Sequence, residues 1–254
     1  MKEEHQGPHI SIKAEPVVDL FGFHITNSLL TSFIVTLFFL AIALYYKSEM
    51  KKRKKGGLFY ILHFVINLVY GLFQSVVGNK IEVFFPWLGA FFFYILLQNW
   101  FGLLPGVGSL LVKVNEAGEE HMVPLLRANT ADLNTTIALG ITSVVLIQYF
   151  GFKFLGAKDH IAKYINFKGP MDFVMGLLEV ISEFSRILSF SFRLYGNIFA
   201  GEVLIAIMVF ILPIFLPFAT LPFLGLEIFV GAIQALVFSM LTAVFLNMAV
   251  QKHH

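Results

Sequence analysis

The chain has no cysteine and few charged residues. Because none of its 254 residues is Cys, a disulfide framework and a metal site built on thiolates are both excluded. Only 13% of the residues are charged, whereas a soluble globular domain carries about 25%. Hydrophobic residues make up 57% of the chain, and 30 residues are Phe. Their arrangement in long runs, without the alternation of barrel strands, predicts an all-α multi-pass membrane protein.

The apolar runs predict five transmembrane helices in a single membrane domain, 1–254, in which a polar tail, 1–28, lies outside the membrane. Since one crossing needs roughly 20 residues, the last two runs are either steeply tilted or each divided in two. Pro213, Pro217 and Pro222 predict the turn of a helical hairpin between these runs, because proline removes a backbone donor. The predicted membrane helices are 29–46, 83–104, 133–155, 171–212 and 214–250.

Lys and Arg are distributed unevenly among the predicted loops. The first helix is followed by the basic run Lys51–Lys55 and the third by a basic loop, 153–168, whereas the loop after the second helix holds only Lys113 and Arg127. The positive-inside rule then places the N-terminus outside and the C-terminus in the cytoplasm. If the apolar segment 58–79 also crossed the membrane, the basic loop 153–168 would lie outside, against the positive-inside rule. We therefore interpret this segment as an interfacial or re-entrant helix near the inner leaflet.

Arg193 lies within a long apolar stretch and is the most informative residue of the chain. A guanidinium keeps its proton under biological conditions, and translocon scales assign about 2.5–3.5 kcal/mol to an Arg at the centre of a membrane helix. Apolar residues continue on both sides, so the side chain cannot easily reach an interface. The charge therefore predicts an ion path or a mobile counter-charge. A buried salt bridge within the chain is the alternative.

Polar and small residues share one face of the helix that carries Arg193, at 100° per residue. Such a face is also typical of helix packing in membranes, and Ser182, Ser189 and Ala200 fit that reading. A permanent charge is not needed for packing. We call this face the polar seam; it comprises Glu179, Ser182, Arg186, Ser189, Arg193, Asn197 and Ala200.

Two carboxylates flank the predicted proline turn. Glu202 is nine positions after Arg193, about 180° around the helix, and so points away from the polar seam. Glu227 lies on the following helix and shares a face with Gln234, seven residues later. Glu202 and Glu227 could relay protons from an aqueous inlet, or could share one proton and hold the hairpin together.

Four sequence motifs carry a resemblance to a known family. Phe192–Glu202 reads FRLYGNIFAGE, and Gln234 stands within GAIQALVF. Asn99–Pro105, NWFGLLP, and Ala131–Asn134, ADLN, precede them in the expected order. The chain from about Leu29 to its C-terminus resembles subunit a of the Fo membrane sector of F-type ATP synthases.

This resemblance implies a role for each candidate residue. Arg193 is similar to the family's essential arginine, which faces a ring of c subunits, and Asn197 and Gln234 match polar positions beside it. Glu202 and Glu227 match positions that line the half-channel open to the outside, although some relatives carry His in place of Glu227. The inner half-channel is expected at Glu179, Ser182 and Arg186.

The resemblance further implies a non-catalytic, proton-translocating stator subunit whose last two helices form a long tilted hairpin. Expected partners are the c-subunit ring, the b subunits of the peripheral stalk, the lipid bilayer and, indirectly, the F1 sector. No nucleic acid, cofactor or metal is expected. The basic loops favour a bacterial plasma membrane. An independent, ion-coupled secondary transporter is the alternative, although the sequence lacks the internal repeats typical of that class, and a purely structural subunit is another.

Overall fold

The computed structural model describes residues 14–20, 23–104, 107, 111–116, 119–164, 169–211 and 216–251. Residues 1–13 of the predicted N-terminal tail and Pro213 lie outside the described residues. The described chain is largely helical, as the sequence predicts. Its α-helices are α1 (Asn27–Met50), α2 (Gly57–Val77), α3 (Ile81–Gly102), α4 (Leu133–Leu155), α5 (Ala157–Ile161), α6 (Pro170–Ile211) and α7 (Leu216–Ala249).

Two short antiparallel hairpins accompany the helices and were not predicted from the sequence. Strand β1 (Pro16–Leu20) pairs with β2 (Phe23–Thr26), and β3 (Leu111–Glu116) pairs with β4 (Glu119–Pro124). The second hairpin pairs Leu111 with Pro124 in direct register. Each hairpin has only two strands, so the all-α expectation holds for the long apolar segments that the structure describes and not for these two hairpins.

Four described helical segments are long and apolar enough to cross a membrane. They are 27–50, 57–102, 133–155 and 221–249. The segment 57–102 contains α2 and α3, which are separated by a 3₁₀ turn, Gly78–Lys80. Gly78 has φ of +65°, a left-handed conformation that favours glycine, and this backbone conformation ends α2.

The position of two prolines differs from the prediction. Helix α7 already begins at Leu216, so Pro217 and Pro222 lie within the helix and do not form the turn before it. Pro217 occupies the first turn, where a backbone N–H has no intrahelical partner and proline is well tolerated. Pro222 removes one N–H further along but does not end the helix.

The described residues divide into two compact units. The first unit comprises the described parts of Met1–Lys47, Tyr94–Leu133 and Leu194–Ala235, and the second those of Ser48–Phe93, Asn134–Arg193 and Leu236–His254.

In the first unit, the start of α1 is fixed to the segment that precedes α4. The Thr26 hydroxyl accepts a hydrogen bond from the Leu29 N–H at 3.3 Å and so caps α1. The hydroxyl of Ser28 donates to Asp132 Oδ2 at 2.8 Å, and Asn27 Nδ2 donates to the Pro124 carbonyl oxygen at 3.2 Å. These buried polar contacts position the residues that follow β4 next to the helices of this unit.

In the second unit, aromatic rings and two hydroxyl contacts join the helices. Phe84 of α3 packs edge-on against Phe150 of α4, with ring centroids 4.9 Å apart. The hydroxyls of Ser143 and Thr242 lie 2.8 Å apart between α4 and α7. Ser191 of α6 donates to the Thr136 carbonyl oxygen at 3.0 Å. A polar pair buried among apolar side chains fixes which helix faces meet, because an unpaired hydroxyl there would be costly.

Candidate functional sites in two cavities

The first unit contains a cavity of about 240 Å³ between helices α3, α6 and α7 and the segment before α4. Two carboxylates of the sequence prediction, Glu202 and Glu227, both line it, and so does Asn197. Asn99 and Gly201 complete its polar and small-residue lining. The folding of the chain therefore brings together two carboxylates that are 25 residues apart in the sequence.

Glu202 is held by two donors from the segment before α4. Arg127 Nε donates to Glu202 Oε2 at 3.1 Å, and the backbone N–H of Ala128 also bonds to this carboxylate. The Arg127 guanidinium carbon lies 5.9 Å from the centre of the Phe199 ring. The backbone N–H of Arg127 donates to Thr31 Oγ1 at 3.1 Å, which ties the loop to α1. From the sequence, Arg127 was interpreted only as one of the two basic residues in the loop after the second predicted membrane helix.

Glu227 has different surroundings. Its residue is only 8% exposed, and its carboxyl group fills the space above Gly201. A Cβ added at Gly201 would lie 2.5 Å from Glu227 Cδ and 3.2 Å from Cγ. Within the part of the chain that the structure describes, no hydrogen-bond donor and no cation contacts the Glu227 carboxyl group.

Asn99 connects the cavity wall to its neighbours. Its Nδ2 donates to the Gly231 carbonyl oxygen at 2.8 Å, and its Oδ1 accepts from Thr130 Oγ1 at 2.7 Å. Trp100 Nε1 donates to the Ile228 carbonyl oxygen at 3.0 Å. Gly231 permits this close approach, since a Cβ there would lie 3.1 Å from Asn99 Cβ. The Asn-Trp pair of NWFGLLP thus fixes α3 against the turn of α7 that carries Glu227.

The second unit contains a larger cavity, of about 670 Å³, which Glu179 and Arg186 line together with Glu183. Arg186 Nη1 donates to both carboxylate oxygens of Glu183 at 2.9 Å, and its guanidinium carbon lies 3.8 Å from the centre of the Phe245 ring. Glu183 was not among the predicted residues. Its position three residues before Arg186 is the spacing at which side chains on a helix pair, so the sequence contained the signal.

A chain of hydrogen bonds connects Glu183 to the loop after α4. The Tyr164 hydroxyl lies 3.5 Å from Glu183 Oε1 and accepts from Gln148 Nε2 at 2.8 Å. Gln148 Oε1 in turn lies 2.6 Å from His160 Nε2. Burial raises the pKa of the Tyr164 hydroxyl and lowers the pKa of Lys163. The Tyr164 hydroxyl is therefore a neutral donor and acceptor near pH 7.

His160 is enclosed by the same elements. Its ring fills the space above Gly151, because a Cβ added there would lie 2.7 Å from His160 Nδ1. Phe152 and Tyr164 lie against the ring at centroid distances of 4.4 and 5.6 Å. Burial lowers the pKa of His160, and the neighbouring charge of Lys163 contributes to the same shift. His160 is thus a neutral, packed residue.

We expect the thermal stability of the protein in detergent to fall as the pH decreases below about 6.5, the ordinary pKa of His. Because the folded-state pKa of His160 is lowered, the unfolded chain binds more protons than the folded chain below that pH, so acid favours unfolding. Denaturation midpoints measured between about pH 8 and pH 5 check this expectation. His160→Gln should flatten the dependence, and an equally steep curve in that variant would contradict it.

The polar seam of α6 is largely exposed. Arg193, Glu179, Ser182, Ser189 and Asn197 are all exposed residues. Arg193 Nη2 donates to Ser189 Oγ at 3.3 Å, and among the described residues no carboxylate forms a salt bridge with Arg193. The intrachain ion pair considered as an alternative therefore has no partner in the described part of the chain.

The other predicted residues have separate positions. The Ser182 hydroxyl donates to the Leu178 carbonyl oxygen at 2.8 Å, within its own helix. Gln234 of α7 is half-buried and belongs to the first unit, as does Asn197. Arg193 is the last residue of its segment in the second unit.

Four apolar helical segments of membrane-spanning length define a multi-pass membrane protein, and α6 carries carboxylates and an arginine that line two cavities. The family model of the ATP synthase A chain matches residues 29–247. The chain belongs to this family. It is therefore a membrane protein of the ATP synthase Fo sector, associated with ATP synthesis and proton transport, and the resemblance carried by FRLYGNIFAGE is confirmed.

Proposed function

We propose that this chain is the stator subunit that passes protons to and from a rotating ring of c subunits. The observation that carries the proposal is Arg193, which is exposed on α6 and forms no salt bridge with a carboxylate among the described residues. A permanent cation in an apolar helix requires a negative partner. An acidic group presented by a neighbouring subunit supplies that partner.

The exchange of protons follows from desolvation. A ring carboxyl group in hydrocarbon stays protonated, because the charged form is disfavoured there, and it ionises beside a fixed cation. Each ring site takes a proton through the outer half-channel at Glu202 and Glu227 and then moves into lipid. The site that arrives at Arg193 gives its proton to the inner half-channel at Glu179, Ser182 and Arg186.

Asn197 and Gln234 are polar positions beside this route. Arg193 blocks direct passage of protons between the two half-channels, because a cation raises the energy of a second positive charge nearby. The membrane potential contributes about 2.3 kcal/mol per charge per 100 mV to each transfer. The chain itself makes no ATP in this proposal. Its further partners are the b subunits of the peripheral stalk and, through them, the F1 sector.

The proposed topology has five crossings, by α1, α3, α4, α6 and α7, with α2 lying at the inner leaflet. Two features support it. The exposed run Lys51–Lys55 directly precedes α2, and the left-handed Gly78 separates α2 from α3. This arrangement places the N-terminus outside and the C-terminus in the cytoplasm of a bacterial plasma membrane. The last two helices, α6 and α7, then form the long tilted hairpin against the ring.

Cysteine cross-linking tests whether the exposed face of α6 meets a ring. The chain has no Cys, so a single introduced thiol is unambiguous. Asn197→Cys, on an exposed residue, should form a disulfide with a cysteine placed beside the ring carboxylate in the assembled complex. Leu194→Cys is the matched control, because Leu194 is 1% exposed and should not react. Equal cross-linking at both positions, or at neither, would contradict the proposed ring interface.

A further inference from the structure

The two carboxylates of the first cavity differ in their partners. Glu202 accepts a hydrogen bond from Arg127 Nε at 3.1 Å and a second from the Ala128 N–H. Glu227 lines the same cavity but contacts neither a donor nor a cation among the described residues. Since a guanidinium stays charged, the pair of carboxylates and the one arginine carry a net charge of −1 when both acids are ionised.

We propose that Arg127 is a positioning residue that keeps Glu202 ionised, and that Glu227 alone carries the transported proton through this cavity. The inference rests on the proposed function and divides the roles of two residues that the proposed function treats alike. A carboxylate that accepts from a guanidinium and a backbone N–H is stabilised in its charged form. A carboxyl group that is 8% exposed and has no donor can take up and release a proton without breaking such contacts.

Arg127 is itself held in place by contacts outside the carboxylate pair. Its backbone N–H is bonded to Thr31 of α1, and its guanidinium lies against the Phe199 ring on α6. Its side chain is only 11% exposed, so the cation is shielded from solvent and its attraction for Glu202 is weakly screened. The anchored loop and the Phe199 ring of α6 therefore both fix the position of this positive charge.

The proton balance of the proposed step involves Glu227 and one group outside this chain. The Glu227 carboxyl group gives its proton to the ionised carboxylate of a ring subunit, which becomes neutral. Glu227 is left as a carboxylate and takes up a proton from hydronium in the aqueous phase on the outer side, which leaves water. Glu202 keeps its charge throughout, and its pair with Arg127 stays neutral as a whole. The charged or titratable groups that face Glu227 from the elements around it are Glu202 of α6 and, through Glu202, Arg127.

The test measures passive proton flux through Fo at a series of pH values, in membrane vesicles stripped of F1 and driven by a potassium diffusion potential. Two single variants change the charge beside Glu227 in opposite directions. In Arg127→Gln an uncompensated Glu202 makes Glu227 hold its proton more tightly, so the flux midpoint should move to higher pH by about one unit. In Glu202→Gln an uncompensated Arg127 should move the midpoint to lower pH by a similar amount.

The double variant Arg127→Gln, Glu202→Gln removes both charges, so its midpoint should return to that of the unmodified protein. A residue that only stabilises the fold would not give shifts of opposite sign that cancel. Glu227→Gln should lower the flux at every pH by at least about tenfold, with or without Arg127→Gln. Binding of F1 to the membranes before stripping reports assembly. If Arg127→Gln does not assemble, the direction of the Glu202→Gln shift alone decides.

Two results would overturn the inference. One is loss of flux at every pH in Glu202→Gln that the double variant does not restore, since Glu202 would then carry the proton. The other is substantial flux in Glu227→Gln. Neither result tests the proposed role of Arg193. If Arg193→Ala still pumps normally, the proposed function fails; if only the charge variants behave differently, the division of roles between Glu202 and Glu227 fails.

Discussion

Arg193→Ala is expected to reduce ATP-driven proton pumping to background while the complex still assembles. Among the described residues, the hydrogen bond that the structure gives the Arg193 side chain is to Ser189 Oγ, at 3.3 Å, so its removal breaks little hydrogen bonding inside the chain. Without the cation, the ionised form of the ring carboxyl group has no counter-charge, so the group stays protonated in the apolar environment. Protons are then not released, and ATP hydrolysis is uncoupled from transport.

The measurement is quenching of a pH-sensitive dye in inverted vesicles supplied with ATP, together with the ATPase activity bound to the same membranes. Ser189→Ala is the matched control, because it removes the hydrogen-bond partner of Arg193 but leaves the charge. It should retain at least about half of the pumping rate, as expected for one exposed hydrogen bond. Normal pumping by Arg193→Ala, at normal levels of assembled complex, would show that this residue does not exchange protons with a ring.

The prediction of a helical membrane protein follows from composition, because a bilayer restricts which structures can cross it. Lipid offers no hydrogen-bond partner, so a long apolar run must satisfy its own backbone as a helix. The family was indicated by the resemblance of FRLYGNIFAGE to a motif of subunit a, and the family model that matches residues 29–247 confirms it. Both inferences depend on local sequence alone.

The contacts that distinguish Glu202 from Glu227 could not be predicted from local sequence. Arg127 and Glu202 are 75 residues apart, and Gly201 and Glu227 meet only because α6 and α7 pack together. A periodicity argument predicts that Glu202 lies on the side of α6 opposite Arg193, but it says nothing of which loop contacts Glu202. Arg127 was therefore interpreted only as a basic loop residue that bears on the membrane topology.

The sequence did not lead us to predict the hairpin of β3 and β4 or the position of Pro217 and Pro222 within α7. In both cases a local sequence signal was given the wrong weight. Val112 and Val114 alternate with polar residues, which is a strand signal, but this loop was considered only for its basic residues. Proline was treated as a helix breaker without regard to position. Pro217 lies in the first turn of α7, where its missing N–H costs nothing.

Gly201→Ala is expected to lower proton flux about a hundredfold with little loss of stability, because a displacement of about 1 Å at a reacting group can cost that much. The new methyl group would occupy the position of the Glu227 carboxyl group, with Cδ at 2.5 Å and Cγ at 3.2 Å. A flexible side chain can swing away, so the helices need not separate. The carboxyl group would nevertheless leave the place from which we propose it gives its proton to the ring.

The control for Gly201→Ala is Gly71→Ala in α2, where nothing lies within 4 Å of the added methyl group. Alanine at an exposed helical glycine generally stabilises a helix by up to about 1 kcal/mol, so this variant should keep both flux and stability. Passive flux and the denaturation midpoint in detergent should be measured for both proteins. Loss of flux in Gly201→Ala at an unchanged midpoint would identify displacement of Glu227 as the cause. Normal flux would mean that protons do not pass through the carboxyl group above Gly201.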